Sequence, residues 1–104
     1  MKKALIICAA GMSSSLIAAK ASEKLKEMGE DIIVDAVSAN FGEEKIKQKE
    51  FDLYLVSPQT KMMLAKFEEY AKNVGVKVVL IPFDHYIPIP MAIKKFAKLV
   101  VDNI

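Results

Sequence analysis

Short apolar runs alternate with stretches of helical period along this chain, and that alternation leaves few folds open. The runs are residues 4–7, 32–37, 53–56 and 76–81, each rich in Val, Ile or Leu. None alternates strictly between apolar and polar positions, as a strand with one wet face would. Continuous runs of this kind suit strands covered on both faces, as in a parallel sheet.

The stretches between them carry a different rhythm. Residues 13–28 place Ile17, Ala18, Ala21, Leu25 and Met28 on one helical face, with Lys20, Lys24 and Glu27 elsewhere. Gly29 follows as a helix-ending residue. Residues 41–49 read as a short polar helix anchored by Phe41 and Ile46. In residues 60–73, Met63, Leu64, Phe67, Tyr70 and Ala71 give another amphipathic helix, which Gly75 ends. Pro88 and Pro90 break the chain before a last helix, where Ile93, Phe96, Ala97, Val100 and Val101 recur at helical spacing.

The order βαβαβαβα predicts an α/β fold: a four-stranded parallel open sheet, helices on both faces, right-handed crossovers. Such sheets bind ligands beyond the carboxyl ends of their strands, near a topological switch point. The loops at 8–15, 57–61 and 82–90 are expected to meet there. Neither linker nor repeat nor low-complexity segment interrupts the chain, so residues 1–104 are expected to form a single domain.

The first of those loops carries the chemistry. Cys8-Ala9-Ala10-Gly11-Met12-Ser13-Ser14-Ser15 follows the first strand directly and leads into a helix. Amides of such a loop converge on one anion, and the helix N-terminus adds partial positive charge. Thiols in that setting ionise more readily than free cysteine. A phosphoryl group on Cys8 would meet the amides of residues 9–15 and the hydroxyls of Ser13, Ser14 and Ser15, while Gly11 permits backbone angles that other residues resist. Phosphate binding is therefore assigned to Ala9, Ala10, Gly11, Met12, Ser13, Ser14 and Ser15, with the sulfur ionised and exposed at the rim. The plain alternative is a small buried hydrophobe beside an ordinary N-cap cluster.

Charge and composition close several other routes. Net charge is +2, from 15 basic and 13 acidic side chains, so no strong field marks a nucleic-acid or membrane partner. A single cysteine forms no internal disulfide, and a reactive thiol points to a reducing compartment, the cytoplasm. Lys2-Lys3 before an apolar run imitates a signal peptide, but residues 4–10 are few and no cleavage pattern follows. Lipoprotein processing wants a small residue before the cysteine, and Ile7 stands there. No segment approaches the roughly 18 apolar residues of a membrane span. Neither cofactor nor metal is expected.

The loop from Cys8 to Leu16 resembles the phosphocysteine loop of the lactose/cellobiose (chitobiose) family of phosphotransferase-system (PTS) enzyme IIB components. Ser57-Pro58-Gln59, after the third run, is similar to the Gly-Pro-Gln found in that family. Length and βα order match over the whole chain. The resemblance implies a single EIIB domain, with a fold akin to the low-molecular-weight tyrosine phosphatases and flavodoxin-like proteins. It implies a cytoplasmic phosphotransferase that accepts a phosphoryl group on Cys8 from a phosphohistidine of EIIA. The group then passes to a sugar entering through the membrane subunit EIIC, a β-linked disaccharide such as cellobiose, chitobiose or lactose. One departure stands out: Tyr86 is followed by Ile87-Pro88-Ile89-Pro90, where relatives tend to have glycines.

A phosphatase or arsenate reductase acting through Cys8 is the rival reading. Those enzymes place an arginine six residues after the cysteine, whose planar fork clamps the phosphoryl group. Ser14 holds that position here. A flavin or nucleotide module would want aromatic stacking surface, and there is no tryptophan. A receiver domain needs an aspartate at the exit of the third strand, whereas Asp52 begins it. Gln59 and Tyr86 are candidates for loop support or partner contact. His85, the lone histidine, reads as a solvated loop residue, and Asp84 as the start of the final helical region. Met62 and Met63 read as core or rim of the third helix, and Met12 as part of an apolar docking surface.

Overall fold

A computed structural model describes residues 1–9 and 11–104, with side chains at all of these except 11–13. Strands β1 (Lys2–Cys8), β2 (Ile32–Ser38), β3 (Leu53–Val56) and β4 (Val78–Leu80) form one parallel sheet in the order β2-β1-β3-β4. Helices α1 (Gly11–Glu27), α2 (Gly42–Gln48), α3 (Leu64–Val74) and α4 (Pro90–Asn103) alternate with them. The order places β1 and β3 side by side at the centre, and the chain winds outward from them in opposite directions. That seam is the switch point.

Side chains of a strand alternate between faces, and β1 uses both for packing. Ala4, Ile6 and Cys8 enter a core with Ile17, Ala21 and Leu25 of α1 and Ile93, Phe96 and Val100 of α4. Leu5 and Ile7 enter a second core with Tyr54 and Val56 of β3, Ile46 of α2 and Phe67 of α3. Residues 4–8 are all buried, which explains why the first run shows no polar alternation. Ser22 of α1 staples the helix to the edge strand: its hydroxyl accepts from Val34 N at 2.8 Å and donates to Val34 O at 3.1 Å.

Gly42 opens α2 with an ordinary helical φ of −59°, so small size, not conformational freedom, is what the site requires. A Cβ there would lie 2.8 Å from the Phe67 ring and 3.1 Å from Ile7 Cγ2. The turns after α1 and α3 do use positive φ, at Gly29 (80°) and Gly75 (78°).

Four expectations need correction. The third helix begins at Leu64, not residue 60, because Pro58–Met63 winds as a 3₁₀ stretch with Thr60 off helical geometry (φ −107°, ψ 21°). Strand β4 is only Val78–Leu80, shorter than its apolar run. Met28 sits past the last turn of α1 and is exposed rather than on the buried face. Phe41 is also exposed, since it ends the 3₁₀ turn Ala39–Phe41 and leaves the buried position to Gly42.

Candidate functional site

Cys8 is the last residue of β1, opposite Ser38 of β2 and one residue beyond the Ile7–Val56 pair with β3. The chain then turns through Ala9, which is exposed, and enters α1 at Gly11. This places Ser14 within the first turn of α1, facing back toward the strand. The Cys8 thiol donates to Ser14 Oγ at 2.8 Å. Ser15, next along, points outward. Of the loop residues assigned to phosphate binding, Ala10 and the side chains of Met12 and Ser13 lie outside the described residues.

The sulfur is not exposed at the rim as the sequence reading expected. Cys8 is 3% exposed and Ser14 1%. The cause is the face on which residue 8 falls. Being even-numbered in β1, it points toward α1 and α4 and joins their core, with Tyr86 packed in the same cluster. The thiol therefore lies just beneath the carboxyl-end surface.

Tyr86 reaches this place from the turn after β4. Ile81 N donates to Val56 O at 2.8 Å, His85 N to Pro82 O at 3.0 Å, and Tyr86 N to Phe83 O at 3.2 Å, which fixes the turn Phe83–His85 on the sheet. The residue is 8% exposed. Burial, foremost, and then the neighbouring Cys8 sulfur push the phenol's ionisation well above the ordinary tyrosine range, while Ser14 acts in the opposite sense. Cys8, Ser14 and Tyr86 thus converge from three separate elements. Asp84 and His85 lie outside this group: Asp84 accepts from Lys95 of α4 at 3.4 Å and pairs with His85 Nδ1 at 2.9 Å. These partners, His85 first, hold the Asp84 carboxyl below the usual carboxylate range.

A latch beneath the loop was not foreseen. Ser57 N donates to Ile7 O at 2.9 Å. Thr60 Oγ1 lies 3.3 Å from the same carbonyl, 3.1 Å from Ser57 O and 2.9 Å from Ser57 Oγ. Both residues are buried. The carbonyl preceding Cys8 is thereby tied to the start of the Pro58–Met63 stretch. The signal was present in Ser57-Pro58-Gln59-Thr60, where hydroxyls three residues apart flank a proline at a helix start. Gln59, the residue singled out there, is exposed on the turn, and the latch runs through its neighbours. Met62 is 81% exposed and Met63 half-buried at the rim of α3.

The arrangement suits holding an anion with neutral donors. All 15 basic side chains are lysines, so no guanidinium clamp of the phosphatase type exists in this chain. Among the described residues no cluster of three His, Cys, Asp or Glu side chains is placed to hold a metal ion. Nor is any described helix long and apolar enough to cross a membrane. A groove of about 300 Å³ between α1 and α4, lined by residues such as Lys20, Lys24, Pro88 and Ile93, does not include Cys8, Ser14 or Tyr86.

Residues 3–98 match the family described as PTS system, lactose/cellobiose-specific IIB subunit. The chain is 31% identical over 88 residues to the PTS system oligo-β-mannoside-specific EIIB component of Bacillus subtilis, covering 83% of this chain and 82% of the relative. Its fold is similar to the lactose-specific IIB component domain from Streptococcus pneumoniae, with a TM-score of 0.83 at 19% identity over 98% of this chain and 96% of that one. The cellobiose-specific phosphotransferase IIB component from Borrelia burgdorferi superposes with a TM-score of 0.72 at 24% identity, over 98% and 90% of the two chains.

Proposed function

This chain belongs to the lactose/cellobiose-specific IIB subunits of the phosphotransferase system, and from that premise we propose that Cys8 is the residue that carries its phosphoryl group. As a IIB component it is a phosphotransferase of sugar uptake that works between EIIA and EIIC partners. The observation that carries the assignment is the position of its only cysteine. Cys8 ends the central strand at the switch point, with its thiol on Ser14 in the first turn of α1.

In the first step the Cys8 thiolate attacks phosphorus on an EIIA phosphohistidine. The S–P bond forms, the N–P bond breaks, and the imidazole nitrogen leaves with its electron pair. The thiol proton passes to solvent water before attack, and its bond to Ser14 opens as the sulfur turns to the surface. In the second step a sugar hydroxyl held by EIIC attacks the same phosphorus. An O–P bond forms, the S–P bond breaks, the hydroxyl proton passes to solvent, and the thiolate returns. Both steps are displacements in which the protein supplies position and charge stabilisation.

Amides of residues 9–15 with the Ser13, Ser14 and Ser15 hydroxyls hold the phosphoryl oxygens in this reading. Neutral donors bind the charge without an arginine's pull toward hydrolysis, which suits a carrier that must keep its cargo. The sugar is a β-linked disaccharide or short oligosaccharide, in keeping with the names of its relatives, and the work is done by residues 1–104 as one domain in the cytoplasm.

Incubation with phosphorylated EIIA followed by mass spectrometry tests the assignment. Wild-type protein is expected to gain one phosphoryl mass, mapped to the peptide containing Cys8, and Cys8→Ser to gain none there. Label on another residue of the wild type overturns it.

A further inference from the structure

Among the described residues, one buried side-chain polar atom makes no hydrogen bond of good geometry: the hydroxyl oxygen of Tyr86, which interacts with the Cys8 sulfur and the Ser14 hydroxyl without a well-aligned bond to either. Such atoms are rare in folded proteins and disfavoured, and each one asks for a reason. Packing supplies none, because phenylalanine would fill the same space without stranding a polar group. The ring belongs to the core formed by α1, α4 and one face of the sheet, and its hydroxyl stands beside the Cys8 sulfur and the Ser14 hydroxyl. The turn that delivers it is fixed to β3 and to its own residues by backbone hydrogen bonds. Thus a donor is held at the sulfur with no well-formed hydrogen bond of its own.

We propose that the Tyr86 hydroxyl is a phosphate-binding group, donating a hydrogen bond to an oxygen of the phosphoryl group carried by Cys8. The proposal rests on the reading of Cys8 as the carrier and adds a residue from the turn after β4 to a site otherwise built from the first loop. The chemistry is matched on both sides. A phosphorylated sulfur presents three strong acceptor oxygens. The tyrosine keeps its proton at neutral pH, since burial and the nearby sulfur both oppose its ionisation. In the unmodified protein the thiol donates to Ser14, and the phenol has only poorly aligned contacts with that pair. Once the phosphoryl group arrives, the poorly satisfied donor gains a strong acceptor, and phosphorylation relieves a defect in the resting core.

Tyr86→Phe separates this from a packing role. Phosphorylation by phosphohistidine-loaded EIIA is followed to equilibrium for wild type and variant, and thermal unfolding is recorded for both in unmodified and phosphorylated forms. The expected result is a variant that still takes phosphate on Cys8, with the equilibrium shifted about tenfold toward the donor, as losing a hydrogen bond to a charged group implies. Its unmodified form should unfold no lower than wild type, and phosphorylation should raise its midpoint less. In wild type alone, the ¹³Cζ resonance of Tyr86 should move on phosphorylation, a readout that needs no variant. An unchanged equilibrium in a phosphorylated Tyr86→Phe, or an unmoved resonance, overturns this proposal and leaves the carrier reading standing. If wild-type Cys8 takes no phosphate at all, the carrier reading fails first and takes this proposal with it.

Discussion

Cys8 shows how much a single position in a strand decides. Its parity in β1 sends the sulfur inward to the face shared with α1 and α4, and its place at the strand's end keeps it one layer below the surface. A thiol so placed reacts only when the structure opens locally, so alkylation reports that opening. Iodoacetamide is expected to modify Cys8 in the folded protein more slowly than in urea-unfolded protein at the same pH, by on the order of tenfold or more. Mass spectrometry of timed aliquots gives both rates, and equal rates would place the sulfur at the surface. The sequence marked Cys8, Ser14 and Tyr86 as site candidates, because strand exits and helix starts leave composition signals. It did not reveal that Cys8 would be covered. Burial depends on which way a strand's last side chain faces and on what arrives from β4, neither of which is written locally.

At the scale of elements, α2 and α3 meet through the pairing of Gly42 with Phe67, where no side chain separates helix from ring. The Phe67 ring is fully buried and has little room to withdraw. Gly42→Ala should therefore cost about 1–3 kcal/mol through overpacking, although alanine is the better helix former. Urea unfolding monitored by circular dichroism measures the loss, and a variant as stable as wild type would show that the ring can move aside. The four helices and four strands were legible because each apolar run and each helical period is long enough to average over exceptions. The 3₁₀ stretch at Pro58–Met63 was not, because Thr60 leaves helical geometry. Its hydroxyl reaches Ile7 O, a partner 53 residues away. Phe41 misled for a related reason: a large apolar side chain looked like the anchor, whereas the buried contact belongs to the glycine after it.

For the molecule as a whole, β1 is the axis. Like β3 it contributes to both cores, here without a break from residue 4 through residue 8, and it carries the proposed nucleophile at its end. Ile6, fully buried against α1 and α4, should cost about 2–5 kcal/mol when truncated to alanine. That is a large share of the roughly 5–15 kcal/mol that holds a domain of this size folded. Chemical unfolding of Ile6→Ala checks it, and a loss below 1 kcal/mol would mean that the sheet centre is looser than its burial implies. The latch at Ser57 and Thr60 has a mechanical sequel. It grips the carbonyl of the residue before Cys8, across the seam where the chain reverses its winding. Whatever presses on the 3₁₀ turn has, in effect, a hand on the stem that bears the sulfur: two stretches of chain, distant in order, behave as one rigid lip.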